Sequence, residues 1–321
     1  MQDVLNIGID VAKAELVVGV VDHPQYNSTL ANSAVHIKRW LRRIPPGSRI
    51  AVESTGPFHH LVVELAQAQG LTTYVLNARD VYYYAKGLGQ RSKTDRTDAQ
   101  LISHYLREHH AHLYPFKAGT LIEQQVNHLL RRRVLLVEQR DALKKSLQDV
   151  VNLEVLIQQL FAQFELLLAA LDREMRTLLI SDPQVASEYR SIQSVPGLGP
   201  QGAALLVCLF RRIGFTNADA VVAFSGLDPR AKDSGQKQGK RHLSKRGPAL
   251  LRRQLFMAAF SACRTAVFKP TYQALRARGL SSTAALIILG RKLLRIAFAV
   301  WRTHTPFEAS HYLANQACVK L

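Results

Sequence analysis

No proline falls between Lys117 and Asp182. Within that stretch, apolar residues recur at alternating intervals of three and four. Fifteen positions from Ile122 to Leu171 form the seam, and twelve of them are apolar. A repeat averaging 3.5 residues describes a helix whose apolar stripe another helix must cover. The chain is thus committed to a long helical segment in its middle. Polar breaks at Arg133, Arg140 and Glu154 can set register or partner choice. Either self-association covers the seam, which its length favours, or a hairpin folds back on its own domain with a bend at Val151 to Leu153. Residues 117–180 are therefore expected to be a coiled-coil dimerisation region between domains at 1–116 and 181–321.

Charge separates the flanking blocks. The 321 residues hold 42 Lys and Arg against 24 Asp and Glu, a net charge of +18. Residues 181–321 hold 21 of the basic and 6 of the acidic residues, and so +15 of the excess. Such a block points to a polyanionic partner, nucleic acid or an acidic membrane surface. The more balanced N-terminal block is the place for a carboxylate metal site. Cys208, Cys263 and Cys318 are scattered and odd in number, which fits a reducing compartment and no disulfide framework. No basic and apolar leader opens the chain, and no continuous apolar run reaches the roughly 18 residues of a membrane span, so a cytoplasmic protein without a membrane partner is expected.

In the first block, Val4 to Asp10 and Glu15 to Val21 read as a hairpin. Ser28 to Ala31 is a third strand, and Ala34 to Arg43 has helical spacing. Ser48 to Glu53 is a strand, Phe58 to Gln69 a helix, Thr72 to Leu76 a strand. A helix then starts after Thr94, a good N-cap. This order suits a mixed sheet with helices on its faces, as in the α/β RNase H-like class.

Asp10 and Glu53 end strands, and such strand ends gather in one crevice. Asp95 and Asp98, at i and i+3 in the first turns of a helix, face the same way. Each acid alone is accounted for by strand termination or by the positive end of a helix. Four carboxylates from three places are more specific, because they can hold Mg²⁺, or Mn²⁺, for two-metal phosphodiester chemistry. Ile7-Gly8-Ile9-Asp10 before a hairpin also opens sugar kinases and actin-like ATPases. Those folds need a second glycine-rich phosphate loop, which this sequence lacks.

In the last block, Ser194 to Leu205 fits a helix-hairpin-helix. Its Gly197 and Gly199 would expose backbone N–H groups to phosphate, unless this is a plain helix–helix turn. Arg230, Lys232, Lys237, Lys240, Arg241, Lys245, Arg246, Arg252 and Arg253 make the densest basic cluster, with Arg91 and Lys93 as further candidates ahead of the acidic helix. Ser234 sits between Asp233 and Gly235 in that basic loop. It is either a solvated turn residue or a nucleophile for a phosphodiester. Pro248 to Phe268 and Ser282 to Trp301 read as helices.

Taken together, the chain resembles the DEDD-type transposases of insertion sequence family 110 and the related pilin-gene inversion recombinases. The matching residues are Gly8-Ile9-Asp10-Val11-Ala12-Lys13, Glu53-Ser54-Thr55-Gly56 and Lys93-Thr94-Asp95-Arg96-Thr97-Asp98-Ala99. Further on come Pro196-Gly197-Leu198-Gly199, Phe224-Ser225-Gly226-Leu227-Asp228-Pro229, Ser234-Gly235, Gly239, Ser244-Lys245-Arg246-Gly247 and Leu251-Arg252. The resemblance implies a RuvC-like domain, a coiled coil and a mainly α-helical C-terminal transposase domain. It maps Asp10, Glu53, Asp95 and Asp98 onto the family's metal-binding tetrad and Ser234 onto its nucleophile. It also implies strand exchange through covalent serine–DNA intermediates, in many members guided by a noncoding bridge RNA that pairs with target and donor DNA. The assembly implied is a homotetramer built from two dimers. Ser54, where many members have alanine, and Pro248, where asparagine or histidine is common, depart from the pattern without touching these residues. A RuvC-like metal-dependent endonuclease and a non-catalytic nucleic-acid-binding assembly factor are the competing functions.

Overall fold

A computed structural model of the chain describes residues 4–54, 58–89, 94–230 and 242–318. The chain divides into two compact units. The first comprises residues 1–118 with 212–214, and the second 119–211 with 215–321.

The first unit contains β1 (Asn6–Val11), β2 (Glu15–Gly19), β3 (Ser28–Ala31), α1 (Ala34–Leu41), β4 (Arg49–Glu53), α2 (His60–Ala68), β5 (Thr72–Leu76), α3 (Ala78–Gly87) and α4 (Asp95–His109). The strands form one sheet in the order β3-β2-β1-β4-β5. β1, β2 and β3 pair antiparallel, as short connections require, while β4 and β5 join parallel through helical crossovers. Alternation splits the strand residues between two faces. Ile7, Ile9, Val52, Val62 and Trp40 belong to one buried cluster, with α1 and α2. Ala51, Tyr74, Leu101, Ile102 and Leu106 belong to another, under α4.

The expected strands are all present, with ends differing by at most a few residues. α3 is an addition, because the sequence pattern gives no helix between β5 and Thr94. Asn77 starts it as N-cap, its side chain accepting from the Arg79 amide at 2.9 Å.

The second unit contains α5 (Leu121–Ser146), α6 (Glu154–Ile180), α7 (Pro183–Gln193), α8 (Pro200–Arg212), α9 (Ala218–Ser225), β6 (Pro229–Arg230), β7 (His242–Leu243), α10 (Ala249–Ala262), α11 (Lys269–Ala277), α12 (Ser282–Thr303) and α13 (Ala309–Cys318). The heptad run is two helices rather than one. Leu147 and Val150 of the seam fall in the connection, where Asn152 takes a positive φ of 69°. Arg133 pairs with Asp172 and Arg140 with Glu165, each at 2.6 Å. Seven residues forward on α5 match seven backward on α6, so the pair is antiparallel. α6 is also long and apolar enough by composition to cross a membrane, which departs from the sequence expectation. Its ion pairs with α5 and its interrupting Gln158, Gln159 and Gln163 fit a hairpin helix.

α12 is the hub of the second unit. Leu289, Leu293, Leu294 and Ala297 are fully buried along it. Phe298 and Trp301 meet Phe210 at 5.3 Å each. Beside them lies a buried charged group. Arg211 donates to Glu123 at 2.8 Å and to Glu188 at 3.0 Å, and the Trp301 indole donates to Glu188 at 2.9 Å. The expected helix from Pro248 to Phe268 ends at Ala262. There the Thr265 hydroxyl donates to the Ala262 carbonyl at 2.7 Å, and α11 restarts the helix at Lys269.

Candidate active site

The carboxylate edge is built by close packing of α4 on the sheet. A Cβ on Gly8 would lie 2.2 Å from the Ala99 carbonyl oxygen, and one on Gly19 would lie 2.6 Å from the Ala99 carbonyl carbon. Only glycine admits a helix backbone so near. Ser103 seals the contact: its hydroxyl donates to the Asn6 carbonyl at 2.7 Å and accepts from the Val21 amide at 3.2 Å. Ser103 reaches Asn6, while Ala99 lies against Gly8 and Gly19, so α4 runs opposite to β1.

Register then locates the acids. β1 and β4 pair Ile7 with Ile50, Gly8 with Ala51 and Ile9 with Val52. One step further sets Asp10 level with Glu53 on neighbouring strands, about 4.8 Å apart. Both share the face of Gly8 and Ala51, which α4 covers. Two residues of strand beyond Gly8 span about 6.6 Å. At about 1.5 Å per helix residue, that returns four to five residues along α4, to the turn of Asp95 and Asp98. Asp98 stands one turn before the fully buried Ile102, so the sheet-facing stripe of α4 runs out through Asp98 to the exposed Asp95.

A capping box fixes this end. The Thr97 amide donates to the Thr94 hydroxyl at 3.2 Å, and the Thr94 amide donates to the Thr97 hydroxyl at 3.0 Å. Four carboxylates form a hard-oxygen donor set of the kind Mg²⁺ or Mn²⁺ takes. As the side chains stand, no three His, Cys, Asp or Glu groups among the described residues are gathered closely enough to hold a metal ion. The register of β1 and β4 and the pitch of α4 direct the four towards one edge, where no three of the side chains meet closely enough for a metal ion.

The other candidate centre lies in the second unit. Ser234 lies outside the described residues, as do Arg91, Lys93, Lys232, Lys237, Lys240 and Arg241. The two ends of the 231–241 segment are described. β6 and β7 pair antiparallel, Pro229 with Leu243 and Arg230 with His242, so they clamp the segment at its base. Beneath this ribbon, Gly226 ends α9 with φ 70°, and the Lys245 amide donates to its carbonyl at 3.0 Å. A Cβ on Gly247 would lie 2.0 Å from the Phe224 carbonyl oxygen. Buried Ser244 donates through its hydroxyl to Asp228. The two motifs flanking Ser234 therefore pack as one crossing of backbone.

The other predicted contacts differ in availability. Arg230, Lys245 and Arg246 are exposed. Arg252 is half-buried and donates to the Gly247 carbonyl, and Arg253 pairs with Glu138 of α5. On α12, burial and then Arg295 push Arg291 below its ordinary value, with Asp228 and Asp219 pulling the other way. In the α7–α8 turn, Gly197 has φ 96°, and its Cβ position is filled by Ala258 and Ala262 of α10. That glycine serves packing, while Gly199 is exposed at the start of α8.

Sequence reasoning passed over the aromatic face of α3. Tyr82 and Tyr83 are 53% and 52% exposed, with Lys86 over one ring and Arg79 over the other. The signal is present as Arg79-x-x-x-Tyr83 and Tyr82-x-x-x-Lys86, cations and rings at helical i, i+4 spacing.

A family model for DEDD transposases of the IS110 type matches residues 7–155, and one described as "Transposase IS116/IS110/IS902 family" matches residues 189–273. Among individual proteins, the pilin gene-inverting protein of Moraxella lacunata is 25% identical over 323 residues, covering 94% of this chain and 97% of that one. A transposase for insertion sequence element IS1111A from Coxiella burnetii is 24% identical over 305 residues, covering 81% and 78%. An uncharacterised 43.6 kDa protein of insertion element IS110 from Streptomyces coelicolor is 33% identical over 143 residues, covering 44% of this chain and 34% of that one.

Proposed function

Because this chain belongs to the IS110 family of DEDD transposases and recombinases, we propose that it cuts and rejoins DNA through a covalent link to Ser234. The observation that supports the proposal is the parallel register of β1 and β4, which runs to Ile9 with Val52 and whose next step is Asp10 with Glu53. The first unit is then an RNase H-like, RuvC-like domain. Asp10, Glu53, Asp95 and Asp98 would hold Mg²⁺ or Mn²⁺, which when bound stabilises charge on the phosphate oxygens.

Ser234 attacks a backbone phosphorus. As the Oγ–P bond forms, the P–O bond to the leaving sugar hydroxyl breaks and the protein stays on the phosphate. Attack by the hydroxyl of another strand reverses the step and rejoins DNA. Arg230, Lys245 and Arg246, with the basic residues of 231–241, neutralise phosphates. Gly199 offers a further phosphate contact. A bridge RNA pairing with target and donor DNA is the proposed source of site choice. The chain works in the cytoplasm as dimers that pair into a tetramer. The exposed apolar residues of the α5–α6 hairpin, among them Leu156, Leu160 and Leu167, support self-association.

The test is a denaturing gel. The protein, with any RNA it retains, is incubated with Mg²⁺ and labelled DNA spanning its element's junction. A protein–DNA adduct lost in Ser234→Ala is expected. Cleavage without an adduct, equal in both proteins, would replace this proposal with a hydrolytic metal-dependent nuclease.

A further inference from the structure

Three consecutive tyrosines on α3 divide into two roles. Tyr84 turns inward: its hydroxyl donates to Glu108 at 2.7 Å, and its ring meets Tyr105 edge-on at 5.2 Å. That contact fixes α3 against α4. Tyr82 and Tyr83 turn outward, more than half exposed, with ring centroids 5.5 Å apart. The Lys86 ammonium lies 4.8 Å from the Tyr82 ring centre, and the Arg79 guanidinium 5.5 Å from that of Tyr83.

Every exposed aromatic surface on this helix therefore comes with a cation. Protein interfaces enrich tyrosine and arginine but deplete lysine, and Lys86 stands on this face. A base joined to a phosphate calls for a ring to stack on and a cation beside it. The contacts of Tyr84 with Tyr105 and Glu108 set this face of α3 beside the C-terminal turns of α4, about 15–20 Å along that helix from Asp95.

We propose that Tyr82 and Tyr83, with Arg79 and Lys86, form a stacking platform for unpaired bases of a single-stranded nucleic acid. The proposal rests on the reading of this chain as a nucleic-acid enzyme, but not on the serine. A duplex hides its base faces, so the platform discriminates for strands that are already open. Both an RNA strand and a displaced DNA strand offer the same chemistry.

Fluorescence anisotropy on the full chain tests this. The probes are labelled single-stranded DNA, single-stranded RNA and duplex DNA of one length. Losing a stacked ring costs about 5- to 150-fold in affinity. Tyr83→Ala and Tyr82→Ala are each expected to weaken single-strand binding within that range and to leave duplex binding within about twofold. The Tyr82→Phe/Tyr83→Phe double variant keeps both rings and is expected to bind like the parent. The single strand that suffers more, RNA or DNA, identifies the source.

Undiminished single-strand binding by both alanine variants would overturn the platform. So would an equal loss on duplex, or a loss in the phenylalanine variant as large as that in the alanine variants. The parent protein's failure to bind either single strand would also overturn it. The Ser234 adduct assay is read separately: an adduct with an unaltered titration refutes the platform alone, and a ring-dependent titration without an adduct refutes the serine mechanism alone.

Discussion

Replacing Gly8 with alanine tests the packing on which the carboxylate edge depends. The new Cβ would sit 2.2 Å from the Ala99 carbonyl oxygen and 2.3 Å from the Ser103 amide nitrogen. Both atoms belong to helix backbone, so no side-chain rotation relieves the clash, and shortening Ala99 to glycine cannot rescue it. Ordinary contact begins near 3.4 Å, so α4 must withdraw by about 1.2 Å. Overpacking of this kind costs about 1–3 kcal/mol, and a backbone-against-backbone clash belongs at the upper end. The same shift carries Asp95 and Asp98 away from Asp10 and Glu53, and a displacement near 1 Å costs about 100-fold in rate. Urea unfolding followed by circular dichroism, together with the rate of adduct formation, measures both effects. Gly214→Ala, with nothing within 4 Å of its Cβ position, is the neutral control. A Gly8→Ala protein with the parent's unfolding midpoint would refute the close approach. A destabilised protein with full activity would refute the claim that α4 positions the acids.

Three further outcomes follow from single contacts. Arg211→Ala leaves Glu123 and Glu188, 4% and 2% exposed, without their guanidinium, and is expected to cost about 3–5 kcal/mol by urea unfolding. Adding Glu123→Gln and Glu188→Gln to that variant should recover part of the loss. Thr94→Ala removes one half of the capping box and should cost about 1 kcal/mol, read as faster hydrogen exchange in the first turn of α4. Tyr84 is pushed up from 10.0 to about 12, by burial first and then by its hydrogen bond to Glu108. Its proton is held more tightly in the folded chain, so its contribution to stability is complete below about pH 10 and is lost as pH rises towards 12. Burial also pushes Tyr189 up, so an ultraviolet titration should show more than one late-ionising tyrosine, and Tyr84→Phe should remove one of them.

What the sequence revealed and concealed has physical causes. The strands were legible because their alternation and apolar runs are local properties, and Asp10 and Glu53 stood out as polar ends of apolar strands. Thr94 was legible as a cap because the side chain of an N-cap acts on its own helix. The break between α5 and α6 was legible as the alternative reading, a hairpin with its bend at Val151 to Leu153, but phase favoured a continuous seam. Leu147 and Val150 keep the three-four rhythm through the loop, and only the backbone of Asn152 departs from it. The end of α10 was hidden because apolar residues continue through the turn that Thr265 closes. α3 was missed because Tyr82 to Tyr84 carry strand propensity, which the N-cap at Asn77 and packing on α4 override. The face-sharing of Asp10 and Glu53 depends on a register between strands some forty residues apart, which no local pattern encodes.

The glycines of the matching motifs show why such signatures recur around chemistry without taking part in it. In the first unit, Gly8 and Gly19 let the backbone of α4 lie against β1 and β2, and the acids ride on that helix. In the second, Gly226 and Gly247 let two segments cross at the base of the β6–β7 ribbon, and Ser234 rides on that ribbon's connection. The devices are alike: a side-chain-free residue permits backbone contact, and backbone contact holds the adjoining described segments more stiffly than side-chain packing would. Gly197 extends the pattern, since its motif suggests a phosphate turn but its Cβ position is filled by α10. A glycine in such a motif is thus first evidence of close approach. The direction of its missing Cβ decides whether the approaching partner is phosphate or protein. For Gly8, Gly197 and Gly247 that direction is protein backbone, so replacing any of them should be read in stability before it is read in binding.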